Sequence, residues 1–275
     1  MRNPFRRRGP TRPKLKSPDD VMTLTEHLAE LRVRIIRAGL AVILGAIIIV
    51  AFYDSVMRFL TEPYLDLCMQ KGRDFCGFDP RSDEAPLVFL DPVEGLSTRL
   101  RIAMYGGLIL AMPVVLWQAW RFVVPALHAK EKRYAIPFIL SSVTLFLLGG
   151  VLAYLTLGRA LEFLIAWAGD AAQPTFQISS YVRLVLLMLG AFGVGFQFPV
   201  LLVFLQLVGV VTPQMLIRGW RYALMLIVIL AAVITPSGDP ISLAALAVPM
   251  AILYFIAYLI GLLFQRRRGA EDALA

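Results

Sequence analysis

The sequence predicts an all-α integral membrane protein with six transmembrane helices and both termini on the same side of the bilayer. Three observations carry this. The 275 residues are 59% hydrophobic and only 17% charged, with a mean hydropathy of +0.72, whereas soluble domains carry about a quarter charged residues. Six apolar segments recur, most of them near the roughly 20 residues that a helix needs to cross the hydrocarbon core. The basic residues gather at alternate ends of these segments, so the net charge of +8 reads as membrane orientation rather than nucleic-acid binding.

The chain opens with a polar, basic stretch, residues 1–34, that lacks the short apolar core and small-residue cleavage site of a secretory signal. It ends in HLAELRVR, His27 to Arg34, which sets Glu30 among arginines directly before the first apolar run, Ile35 to Phe52. Glu30 and Arg34 are four apart in the favourable order, so on a helix they form a local ion pair; the alternative is that the carboxylate serves a ligand. A long polar stretch, 53–98, precedes the second segment, Ile102 to Trp120. The third runs from Tyr134 to Leu157, with Pro137 in its first turn, where a missing N–H costs little. The fourth, Leu184 to Val211, follows a loop holding Asp170 and Pro174. The last two form a hairpin, Tyr222 to Thr235 and Ile241 to Phe264, turned by PSGDP.

Sidedness follows from the cations. The first 34 residues carry nine Lys/Arg, the 121–134 loop four, Arg218 and Arg221 two, and Arg266, Arg267 and Arg268 three. The positive-inside rule makes this face, and with it the 265–275 tail, cytoplasmic. The 53–98 loop, with nine acidic residues, lies outside. The fifth segment, 14 residues long, spans about 21 Å as a helix, short of the roughly 30 Å core, so it must thin the bilayer, snorkel its flanks or pair with another helix. No internal repeat of the kind many secondary transporters carry is visible.

Enzyme chemistry is missing from the pattern. There is no G-x-x-x-x-G-K-[ST] phosphate loop, no H-E-x-x-H and no G-x-S-x-G elbow. The two histidines, His27 and His128, sit at separate membrane borders, and Asp239 has no second intramembrane aspartate with which to form a dyad. No catalytic residue, metal site or cofactor is expected. Cys68 and Cys76 share the predicted outer loop, either bridged on an oxidising face or left as two thiols. At membrane depth, Gln197 lies in GAFGVGFQFPV, between Gly190, Gly193 and Gly195 and the helix-kinking Pro199. Small residues admit another helix closely and a buried amide bonds across the contact, so packing and functional readings both stand. Arg99, Arg101 and Arg183, at outer ends of segments, are expected to snorkel.

HLAELRVR before the first span, WRFVVPALHAKEKRY between spans two and three, AFGVGFQFPV in span four and a TP-plus-aspartate hairpin before the last span occur in that order. Together they resemble the TatC family, the multi-spanning receptor of the twin-arginine protein translocase, over Met22 to Phe264. The resemblance implies a concave cup of six helices with short last two helices, both termini cytoplasmic, in a bacterial plasma membrane. It implies recognition of twin-arginine signal peptides on folded cargo. Export would be driven by the proton-motive force without ATP, together with single-span TatA and TatB and further copies of the receptor. The family's signal-binding carboxylates match Glu30 and Glu131. Phe122 and Pro125 match its loop aromatic and proline, Pro63 its outer-loop proline, and Asp239 its last-hairpin aspartate. At Gln197 the chain departs from a frequent family glutamate.

A twin-arginine ligand presents two guanidinium forks that carboxylates meet bidentately. Glu30, beside Arg32 and Arg34, and Glu131, among Lys130, Lys132 and Arg133, both fall on the cytoplasmic border by topology. Charged hydrogen bonds contribute about 1.5–3 kcal/mol each, while micromolar binding needs about 8, so the signal's apolar stretch must supply the remainder along the cup. The final hairpin, with its short fifth span, the Thr235 hydroxyl near the outer end of that span, Asp239 in the turn and Gln197 in the wall, is the expected edge for a TatA or TatB helix. The competing readings are a secondary transporter or channel for a small solute, with Gln197 and Asp239 as its polar groups, and an intramembrane enzyme.

Overall fold

The computed structural model describes residues 24–81, 87–123, 135–169, 175–236 and 238–272, and among them the only extended pairing is a single bridge between Val88 and Gln177. The other described residues are helices joined by turns and short irregular connections. Among the described residues five helices are long and apolar enough to cross a membrane, and Trp220–Ile234 is a shorter apolar sixth.

The first helix, α1 (Leu24–Ala51), begins well before the apolar run, so HLAELRVR is helical. After a kink at Phe52 the chain continues as α2 (Tyr53–Lys71) and the single turn α3 (Arg73–Cys76). The polar stretch read as an outer loop is therefore largely helical. Leu60, Tyr64 and Leu67 are buried at helical spacing on α2 and pack into the core, and Cys68 and Cys76 are joined by a disulfide. Gly72 and Gly77 end α2 and α3 with φ of 85° and 78°, values that favour glycine.

The second span is α4 (Glu94–Val123) and the third α5 (Ala135–Ala168). Span four is broken into α6 (Ile178–Gly195) and α7 (Gln197–Leu207) at Phe196. The break has a local cause: Pro199 has no N–H to give the Gly195 carbonyl. A short α8 (Pro213–Arg218), capped by the Thr212 hydroxyl and opened by Pro213, leads to α9 (Trp220–Ile234), 15 residues long. The last helix, α10 (Pro240–Asp272), is not short. Its apolar part alone covers Pro240–Gln265, 26 residues, and the helix runs on to Asp272 because Gln265 and the three arginines after it are good helix formers. Of the last two spans, only the fifth falls short of the bilayer.

Small residues set the close crossings. A Cβ on Gly45 would lie 2.6 Å from the Gly107 carbonyl oxygen, and one on Gly107 2.5 Å from the Ala46 nitrogen, so α1 and α4 touch backbone to backbone. A Cβ on Gly149 would meet the Phe192 carbonyl oxygen at 2.6 Å, which brings α5 against α6 in the same way. The α1–α4 pair is laid beside the remaining helices, and much of α1 is left uncovered by protein, with Ile43, Leu44 and Ile47 exposed. Such apolar exposure suits lipid.

Opposite the basic end of α1, a cap closes the helices. Tyr64 is wholly buried among Phe78, Phe176 and Tyr181, and burial pushes its phenol up to about 12. The Tyr181 hydroxyl donates to the Leu60 carbonyl at 2.6 Å.

Candidate functional site

Glu30 lies three residues past His27 on α1, and Arg34 four past Glu30, so all three share one stripe of the helix. That stripe faces α4: the His27 ring stacks on Phe122 with centroids 4.3 Å apart. Arg34 donates through Nη2 to Glu30 Oε1, closing the ion pair that the spacing predicts. Both side chains are largely sheltered, 24% exposed for Glu30 and 12% for Arg34. Glu30 Oε2 and Arg34 Nε are buried with no partner among the described residues. A sheltered carboxylate with one oxygen unspent is a guanidinium acceptor by its chemistry. Arg32, two residues on, is exposed. Pro125 and Glu131 lie outside the described residues.

Gln197, at the first turn of α7, is tied to α5 at both ends of its amide. The Ser142 hydroxyl donates to its Oε1, and its Nε2 donates to the Ser142 carbonyl at 2.9 Å. Trp120 on α4 adds a third member, donating from Nε1 to the Ser142 hydroxyl at 3.0 Å. The amide thus joins α4, α5 and α7, in the wall of an open, apolar depression of about 500 Å³ lined also by Leu116, Phe198, Leu230 and Ile234. Its polar atoms are spent inside the protein.

In the last hairpin, Asp239 and Thr235 also make hydrogen bonds inside the protein. Asp239 is buried and accepts the Ser242 N–H at 2.6 Å, with Pro240 at the first helical position, so it caps α10. Thr235 is buried and its hydroxyl donates to the Ala231 carbonyl of its own helix at 2.8 Å. The hydroxyl on which a docking contact was expected is therefore turned inward, while Tyr222, Met225 and Val233 leave the apolar side of α9 exposed. Pro63 sits inside α2 at the opposite end of the molecule from Glu30.

Sequence reading missed two groups. Glu94 is buried and accepts the Leu90 N–H and the Ser179 N–H, each at 2.9 Å, clasping the strap before α4 to the start of α6. Arg101 adds a bond to the Ser179 carbonyl at 3.0 Å. In the sequence Glu94 counted only as one of nine acids in a loop; its place at the first turn of a span was the available signal. Gln118 on α4 was also passed over, and its Oε1 is buried without a partner among the described residues.

The comparisons with known proteins bear on this arrangement directly. Residues 26–249 match the family model described as TatC, Sec-independent protein translocase protein. The chain belongs to the TatC family. It is 36% identical over 250 residues to the Sec-independent protein translocase protein TatC of Aquifex aeolicus, covering 90% of this chain and 98% of that one. The TatC of Frankia casuarinae is also 36% identical over 250 residues, covering 90% of this chain and 68% of the relative. Among solved structures, a crystal structure of the twin arginine translocase receptor TatC superposes with a TM-score of 0.68 at 35% identity, over 86% of this chain and 99% of that one. TatC membership makes the chain a membrane component of protein transport rather than an enzyme, and the solute-transporter reading is not favoured. Glu30, Phe122, Gln197 and Asp239 all lie within the matched TatC region.

Proposed function

We propose that this chain is the receptor subunit that binds twin-arginine signal peptides at Glu30 and Glu131 and starts the export of folded cargo. The observation that carries the reading is Glu30 itself: a carboxylate sheltered at the foot of the first span, with Oε2 unpartnered. The two-arginine ligand supplies forks that suit such a group, and lysine, lacking the fork, fits it less well. In this reading both termini lie on the cytoplasmic side of a bacterial plasma membrane, which the nine cations of residues 1–34 support, so the site faces newly made cargo. The signal's apolar stretch then lies along the open depression beside Trp120 and Phe198.

Partner helices of the TatA and TatB type dock on the exposed apolar side of α9, whose 15 residues reach only about 22 Å and are better covered by protein than by lipid. Further receptor copies join the same complex. The proton-motive force drives transport without titration at residue 197, because an amide does not ionise.

Photocrosslinking from positions 30 and 131 to a signal peptide with paired arginines tests the reading. Crosslinks from both positions, and their loss with export in a Glu30→Gln/Glu131→Gln variant that still inserts into the membrane, are expected. Normal export by that variant refutes it.

A further inference from the structure

The geometry points to an internal arginine latch: Arg34 occupies Glu30 while no signal is bound, and Gln118 receives Arg34 when a signal arginine takes its place. This rests on Glu30 as the signal carboxylate. Residues 118 and 122 share a face of α4 as 27, 30 and 34 share a face of α1. The stack of His27 on Phe122 and the meeting of Gly45 with Gly107 align the two helices antiparallel. Measured from that stack, Gln118 lies about 6 Å along α4, Glu30 about 4.5 Å and Arg34 about 10.5 Å along α1. Gln118 therefore falls between the levels of the two ion-pair partners.

Their unpartnered atoms are complementary. Arg34 Nε is a donor; Glu30 Oε2 and Gln118 Oε1 are acceptors; all three are buried with no partner among the described residues. In the latched state the carboxylate spends only Oε1 on Arg34. A bidentate signal guanidinium engages both oxygens, and Arg34, a second cation held on Oε1, competes with it by like-charge repulsion, so its displacement favours binding. Gln118 Oε1 lets Arg34 leave without stranding a sheltered cation, and the carboxylate passes from one guanidinium to another without being left bare. Arg34 and Gln118 are positioning residues, acting through Glu30.

Binding of a fluorescent synthetic peptide, with two consecutive arginines before an apolar stretch, to the full chain in nanodiscs tests the latch. Arg34→Gln removes the competitor and tightens binding about fivefold, the worth of a partly screened ion pair. Gln118→Leu weakens binding about tenfold, the worth of a hydrogen bond to a charged group. In the Arg34→Gln background Gln118→Leu has no further effect, whereas with Arg34 present Gln118→Glu, which keeps an acceptor, retains the affinity that Gln118→Leu loses. Should Arg34→Gln not fold, Arg34→Met, which keeps an unbranched apolar stem and removes the charge, carries the same comparison. Weaker binding on loss of Arg34, or a Gln118→Leu effect that persists without Arg34, overturns the latch. Glu30→Gln separates the two levels: wild-type affinity there refutes Glu30 as the signal carboxylate, on which the latch rests. Lost binding there, with independent effects at Arg34 and Gln118, rejects the latch alone.

Discussion

Replacing Gln197 by leucine keeps the size of the side chain and removes its hydrogen bonding, and the structure sets what this costs. Two bonds disappear, from the Ser142 hydroxyl to Oε1 and from Nε2 to the Ser142 carbonyl, while Trp120 still donates to the hydroxyl. Interhelical bonds of this kind in a bilayer average about 0.6 kcal/mol, with a ceiling near 1.7, so the pair contributes about 1.2 kcal/mol. Part returns, because the Ser142 hydroxyl, buried on α5, can bond back to the carbonyl four residues earlier. A net loss of about 1 kcal/mol is expected. Ser142→Ala should cost more, since it orphans both the Trp120 indole N–H and Gln197 Oε1. The two changes should not add: the double variant should be more stable than their sum by about 0.5–1 kcal/mol. Equilibrium unfolding in mild detergent, followed by tryptophan fluorescence, measures all three. Strict additivity, or a leucine variant as stable as the parent, refutes the three-helix tie. Gln197→Glu should keep the tie only while protonated, because a neutral carboxyl reproduces both bonds and a carboxylate faces the Ser142 carbonyl. Its stability should therefore fall as the pH is raised.

Converting Cys68 and Cys76 to alanine should lower stability by about 2–3 kcal/mol through the freed loop entropy, and reductant should then no longer shift the melting of the variant. Two adjacent glycines on α5 should respond oppositely. Gly149→Ala, whose Cβ would strike the Phe192 carbonyl oxygen, should destabilise by about 1–3 kcal/mol, whereas Gly150→Ala, with open space around it, should be neutral or stabilising by up to about 1 kcal/mol; thermal melting distinguishes them. Glu94→Gln should loosen the strap before α4, since one acceptor must serve two N–H groups, at a cost of about 1–3 kcal/mol, and limited proteolysis near Val88 should speed up.

The spans were legible in the sequence because a membrane demands runs of apolar residues about as long as the hydrocarbon core is thick, and no later packing choice alters that demand. Family membership was legible for a related reason: HLAELR, the Phe122 loop and GFQFPV carry their motifs within short stretches. Glu30 pairs with Arg34 as spacing alone foretells, since residues four apart on a helix meet whatever surrounds them. The α2 helix was not legible. Its acids and Pro63 read as loop, and only the pocket that takes Tyr64 and Leu67 makes its helical period stable. The reach of α10 past Phe264 was hidden as well, because hydropathy marks where lipid ends and not where a helix stops. Polar groups depend most on tertiary structure. Whether Gln197 is spent or free turns on Ser142, 55 residues away, and whether Gln118 matters turns on which face of α1 lies across from it. A hydrogen bond needs its partner within about 3 Å, and only the packed helices decide which distant residues come that close.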